Sequence, residues 1–402
     1  MIRIISLLLA LILGVFVFLS DDPDTFKTAA GSVKNPYELS ITPREGEERE
    51  LLGEEPLQQL YDVLLSGIEN FSEQIEIKRL VYDEDDLMTV IRAVKNDRPD
   101  LFCVNWNDWQ VLSGNGGITV MPKYHVDPET GRKMYAELDK AVSGFLSSNG
   151  SVSSMSDYDK VLTVHNWLIG SVDYEESYGM FTEAEQWIFH TPYGAMVNGK
   201  AVCDGYASAF DILMDKLNVK SVMVDGVTAN NVEDEGHQWN IVNIDGKDYH
   251  VDVTWDDLNI YGGGEAENGF VSYQYFLLSD DEISVDHTAE HRAAVPKCPE
   301  AYNYYAGIGL EGRRIEEILG NIVAYSVAAV NDGTYTVEFR ITEAEGYEVA
   351  SKGEFDFSET LTEINSRLEE SGNGSRIDET GYRLAGNDAR GALIFVLFPA
   401  ED

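Results

Sequence analysis

The dipeptide Asp245-Gly246 stands between two runs of alternating apolar and polar residues, 238–244 and 247–254. Asp-Gly in that setting signals a two-residue hairpin, because both loop positions need a left-handed backbone. With these two as the loop, Ile244 pairs with Lys247, and following the register outward sets Asp252 opposite Trp239. His237, two residues from Trp239, points to the same face. His237 and Asp252 then become diagonal neighbours, roughly 7–8 Å apart at the backbone and within side-chain reach. A four-residue loop keeps this register, whereas a three-residue loop turns Asp252 to the other face. Ahead of the hairpin lie a further strand-like stretch, 221–224, and a helical stripe of Tyr206, Phe210, Leu213, Met214 and Leu217. A helix followed by consecutive antiparallel strands predicts an α+β fold rather than a doubly wound parallel sheet.

The rest of the chain is organised around this segment. Residues 1–20 carry an apolar run from Ile4 to Leu19 behind a single basic residue, the pattern of a secretory signal or N-terminal anchor. Export is expected, whether or not the segment is cleaved. Contact with a membrane is expected only through that segment if it is retained. Residues 21–53 are polar and acidic and read as a linker. Residues 54–150 form an N-terminal α/β region. Leu57, Leu60, Tyr61, Leu64 and Leu65 recur at helical spacing, as do Leu87, Val90, Ile91 and Val94, and Pro99 stops the second helix. Strands are expected at 101–106 and 117–121, and a helix at 128–146. Residues 151–298 hold the chemistry, beginning with a helix capped by Asp157 whose apolar face is Val161, Val164, Leu168 and Ile169. Residues 299–402 read as a small α+β region of unknown role, with helices at 315–330 and 359–368 and strands at 334–341, 382–384 and 392–398.

The net charge of −42, from 71 acidic and 29 basic residues, repels nucleic acid and anionic head groups. Neither is expected as a partner. There are three cysteines, an odd number, so on an exported chain at least one thiol is free unless it pairs between chains. Cys103 sits in an apolar run and reads as core. Cys298 lies in a Pro-flanked loop with no neighbouring base in the sequence. Cys203, flanked by Gly199 and Gly205 and three residues ahead of the Tyr206 stripe, falls where a helix should start.

That position suits a nucleophile. A helix N-terminus and a nearby imidazolium both favour thiolate, the reactive form. In this reading Cys203 attacks, His237 shuttles the proton, and Asp252 fixes the imidazole's tautomer. The Cys203 backbone N–H would stabilise the oxyanion, with Tyr193 as candidate second donor and Trp239 as a candidate cleft residue. A rival metal reading groups His250, Asp252 and His237, with Cys203 completing the set. No CxxC or HExxH spacing supports it, and no motif calls for a cofactor or calcium.

At these residues the chain resembles the transglutaminase-like superfamily of papain-related fold, in its bacterial secreted form. The carriers are VCDGYASAFDILMDKLNV, GHQWNIVNIDGKDYHVDVTWDD and YQYFLLSDDE, preceded by YDKVLTVHNWLIGSVDY. The resemblance implies a helix bearing Cys203 packed on an antiparallel sheet, with Cys203, His237 and Asp252 as the triad. It also implies thioester chemistry on protein, peptide or peptidoglycan-peptide amides, with hydrolysis expected over cross-linking. The alternative is a non-catalytic peptide- or glycan-binding module at the cell surface that uses the same cleft.

Overall fold

The computed structural model describes residues 17–20, 49–50, 52–53, 55–78, 84–114, 117–230, 233–257, 270–290, 295–372 and 374–400. Most of the expected leader and acidic linker lies outside them. Among the described residues no helix is long and apolar enough to cross a membrane. The chain divides into two compact units, residues 1–246 with 287–296, and residues 247–286 with 297–402.

The first unit begins with a four-stranded sheet in the order Val17–Ser20, Val104–Gly114, Gly117–Tyr124, Ile75–Lys78. Val17–Ser20 runs parallel to its neighbour and the other pairs are antiparallel. Helices Glu55–Glu69 and Glu84–Asp97 bury the stripes read from the sequence, including Leu60, Leu64, Val90 and Val94, against Trp109, Val111 and Val120. The strand expected at 101–106 starts later and runs longer. The second helix does end before Pro99, and the next residues hold a buried cation: the Arg98 guanidinium pairs with Asp100 at 2.8 Å and with Glu69.

Helix Pro128–Ser148 follows, its first turn capped by the Asp127 carboxylate. Helix Asp157–Ser171 buries Val161, Val164, Leu168 and Ile169 as expected. Its cap is Ser156, one residue ahead of the anticipated Asp157, because Ser156 has the extended backbone and its hydroxyl accepts from Asp159 N–H at 3.2 Å. Helix Cys203–Lys216 then packs on an antiparallel set in which Ser221–Asn230 lies between Glu233–Ile244 and His287–Ala289. The last strand, His287–Ala289, comes from about forty residues beyond the hairpin loop. It returns to pair with residues 226–228.

Asp245 and Gly246 have φ of 52° and 82°, both left-handed, and Gly246 N–H donates to the Asn243 side chain at 3.1 Å. This is the two-residue loop that the sequence called for, joining a strand that ends at Ile244 to one that starts at Lys247.

In the second unit, strand Lys247–Val251 pairs antiparallel with Phe276–Leu278. It stops at Val251, three residues short of the expected end, because Asp252 caps the helical turn Val253–Asp256. A four-stranded sheet follows in the order Glu311–Gly312, Thr336–Ile341, Ala392–Pro399, Ile377–Asn387. Helices Leu319–Asp332 and Ser358–Ser371 lie where the periodicity put them, and Phe339, Phe357, Leu361, Ile364 and Phe395 form the core beneath. Helix Ala344–Ser351 was not anticipated, being short and without an apolar stripe. Glu338 is buried here. Its carboxylate accepts from Ser272 Oγ (2.9 Å), Gln274 Nε2 (2.7 Å), Tyr273 N–H (3.0 Å) and Tyr305 Oη (2.7 Å). Burial outweighs those donors and pushes its pKa up to about 7.

Candidate active site

Cys203 is the first residue of its 14-residue helix, half-buried and free as a thiol. Its backbone N–H is one of the first-turn groups for which the helix itself supplies no acceptor. The preceding loop is fixed by Val202 N–H donating to Phe189 C=O at 2.9 Å. Gly205 lets the helix start approach that loop, since a Cβ there would lie 2.6 Å from the Phe189 carbonyl oxygen. Gly199 takes the left-handed backbone, φ 69°, that ends the turn Gly194–Asn198. The other thiols are sealed. Cys103 and Cys298 are both 0% exposed, and burial raises the Cys103 pKa to about 12.

His237 lies on strand Glu233–Ile244, opposite Gly226. Its ring stacks on Trp239, with centroids 6.0 Å apart and planes at 19°, and meets His287 edge-on at 5.3 Å. Trp239 also meets His287, at 5.2 Å, and is only 1% exposed, so it backs His237 rather than lining an open cleft. Asn240 binds strand to helix, its side-chain N–H donating to Ala207 C=O at 3.1 Å. One hydrogen bond thus locks the strand bearing the imidazole to the helix bearing the thiol.

Beside Cys203, Asp204 pairs with His190, Nδ1 to carboxylate at 2.8 Å. The Asp204 charge, opposed by burial, raises the His190 pKa. Burial pushes Asp204 up, but the His190 charge and hydrogen bond carry its pKa below the usual carboxylate value. Tyr193 is engaged elsewhere. Its hydroxyl donates to Glu137 at 2.5 Å, which raises its pKa to about 12, and its ring stacks on Phe102.

Asp252 belongs to the second unit and is fully buried. Its Oδ1 accepts from Trp255 N–H at 3.0 Å and its N–H donates to Tyr275 C=O at 3.0 Å. Those bonds fix the carboxylate's position.

Residues 146–253, spanning the Cys203 helix and the His237 strand, match the family model of the transglutaminase-like superfamily. This stretch is transglutaminase-like. Among solved structures, the chain is similar to a TGase at 12% identity and a TM-score of 0.27, over 45% of this chain and 50% of that one. It is also similar to a provisionally assigned cysteine protease from Cytophaga hutchinsonii at 15% identity and a TM-score of 0.24, over 41% and 65%. The chain therefore spans half of the first relative's length and under two thirds of the second's. Superpositions this loose say nothing about substrate. No curated protein matches this chain.

Two residues packed beside the Cys203 helix and His237 were given no role by sequence reasoning. Asn240 had a visible signal, a polar side chain in the otherwise apolar strand run that includes Trp239, Ile241 and Val242. His287 had none, since its strand is only three residues long and lies about fifty residues downstream of His237.

Proposed function

We propose that this protein is an exported cysteine acyl-enzyme catalyst acting on protein, peptide or peptidoglycan-peptide amides, with hydrolysis favoured over cross-linking. Cys203 is the nucleophile, His237 the proton shuttle and Asp252 the anion that orients the imidazole. The Asn240–Ala207 hydrogen bond carries the reading, because it fixes the His237 strand to the Cys203 helix. The left-handed Asp245-Gly246 loop adds to it, since a two-residue connection is the one from which Asp252 was read as His237's diagonal neighbour.

The chemistry proceeds in two halves. His237 takes the Cys203 proton, the sulfur bonds to the amide carbonyl carbon, and the oxyanion meets the Cys203 N–H at the helix start. The C–N bond breaks as His237 returns the proton to the departing amine, leaving a thioester. His237 then deprotonates water, which adds to the thioester carbonyl, and the sulfur leaves to recover the proton. An amine in place of water would give cross-linking. Export rests on the apolar N-terminal run, and the amide substrate class on the resemblance to the transglutaminase-like superfamily.

The test is rapid iodoacetamide labelling across pH, combined with mass spectrometry for a thioester on a panel of protein and cell-wall amides. Wild type should accumulate an acyl adduct that Cys203→Ala lacks, and His237→Ala should lower turnover by roughly 10²–10⁴-fold. Cys203 labelling at an ordinary thiol rate, unchanged in His237→Ala and with no adduct formed, would leave the binding-module reading instead.

A further inference from the structure

A second cluster of reactive side chains lies wholly in the second unit. His250 comes from strand Lys247–Val251, Asp280 opens the short helix Asp280–Ile283, and Cys298 lies in the loop before Pro299. His250 Nε2 is 3.1 Å from Asp280 Oδ1. The ligand atoms of all three residues lie within 4.8 Å of one another. Asp280 N–H donates to Cys298 C=O at 2.7 Å, so the backbone itself holds carboxylate and thiol side by side. His250 is 3% exposed and Cys298 0%, which separates this group from an ordinary cluster of surface acids.

Geometry, charge and donor type converge on one class of ligand. A tetrahedral cation with bonds of about 2.0–2.3 Å holds its ligand atoms about 3.3–3.6 Å apart. The His250–Asp280 edge is already close to that, and from a separation of at most 4.8 Å the sulfur needs to close by no more than about 1.2–1.5 Å. Thiolate and carboxylate carry two negative charges, which neutralise a divalent ion in a buried place. A sulfur, nitrogen and oxygen set favours zinc over calcium or magnesium, which take oxygen ligands.

We propose that His250, Asp280 and Cys298 bind one divalent cation of the zinc type, with water as the fourth ligand. On binding, the Cys298 thiol loses its proton to solvent and sulfur bonds to the metal. The Nε2 proton that His250 shares with Asp280 moves to Nδ1, so that the neutral ring donates its Nε2 lone pair, while Asp280 exchanges its hydrogen bond to the ring for a bond to the ion. No electron is transferred. The ion would tie the strand, the helix start and the loop together.

Full-length protein, stripped with a chelator and dialysed, should take up one Zn²⁺ per chain by calorimetry and elemental analysis. Proton release should be visible as a dependence of the heat on buffer. Co²⁺ should give a sulfur-to-metal charge-transfer band, and that band should persist in a C103S/C203A variant, which leaves Cys298 as the sole thiol. Cys298→Ser and His250→Ala should each weaken Zn²⁺ binding by about 100-fold or more. Absence of a charge-transfer band in C103S/C203A would overturn the proposal whatever the folding of the other variants. So would Zn²⁺ affinity unchanged by Cys298→Ser, which would mean weak adsorption to surface carboxylates.

Discussion

Substituting Gly226 by alanine tests the packing behind the proposed base. Gly226 sits on strand Ser221–Asn230, paired with His237 on one side and with Ala289 on the other. A Cβ there would lie 2.5 Å from the Thr288 carbonyl oxygen and 2.6 Å from two atoms at the far edge of the Trp239 ring. Neither neighbour yields easily. One is strand backbone, and the other is an indole with 1% exposure held between His237 and His287. Overpacking of this sort costs about 1–3 kcal/mol. Replacing glycine in a strand returns about 0.5–1 kcal/mol of backbone entropy, so the net loss should be about 1–2 kcal/mol. For a unit of this size that is roughly 2–8 °C in Tm, measurable by thermal scan and by urea unfolding with an unchanged slope. In a Trp239→Phe background the far ring edge is absent, so Gly226→Ala should cost less there by about 0.5–1 kcal/mol, a coupling expected of residues in contact. An unchanged or raised midpoint for Gly226→Ala, or strict additivity in the cycle, would refute the reasoning.

Two further predictions concern pH. Glu338, raised from 4.5 to about 7, holds in the folded state a proton that the unfolded chain releases. Its stabilisation is full below pH 4.5 and is lost as pH rises to about 7, a change on the order of 3 kcal/mol in urea unfolding of the second unit. Glu338→Gln should flatten that slope, and equal slopes in the two proteins would contradict the assignment. For His190, Asp204→Asn should lower the imidazole midpoint in an NMR titration, because the Asp204 charge is what raises it. The raised His190 pKa contributes stability that is full below 6.5 and lost as pH rises through the folded value. The lowered Asp204 pKa contributes stability present above 3.8 and lost as pH falls through its folded value. A His190 midpoint unmoved by Asp204→Asn would mean the pair does not set it.

Legibility followed the range of the determining interaction. The Asp245-Gly246 loop and the stripes of helices Glu55–Glu69, Asp157–Ser171 and Cys203–Lys216 were readable because turn chemistry and helical periodicity act over a few residues. The cap of helix Asp157–Ser171 missed by one residue because Ser156 and Asp157 can both accept, and only backbone conformation decides between them. Asp252 was read as the continuation of a strand and is instead a cap, a choice made by the Trp255 N–H three residues on. Cys298 had no neighbouring base in sequence yet lies beside His250 and Asp280 in space. Tyr193 looked available as a donor, and its hydroxyl is taken by Glu137, 56 residues earlier. Such meetings of distant residues leave no local pattern.

The Cys203 helix is buried on every side from Gly205 to Met214 and offers solvent no polar face along that stretch. An amphipathic surface helix can fray or lift away with its water-facing side as hinge, but this one has no such side. Amide exchange along it therefore requires disruption of the first unit's interior, and the sulfur's placement persists until that unit melts as a whole.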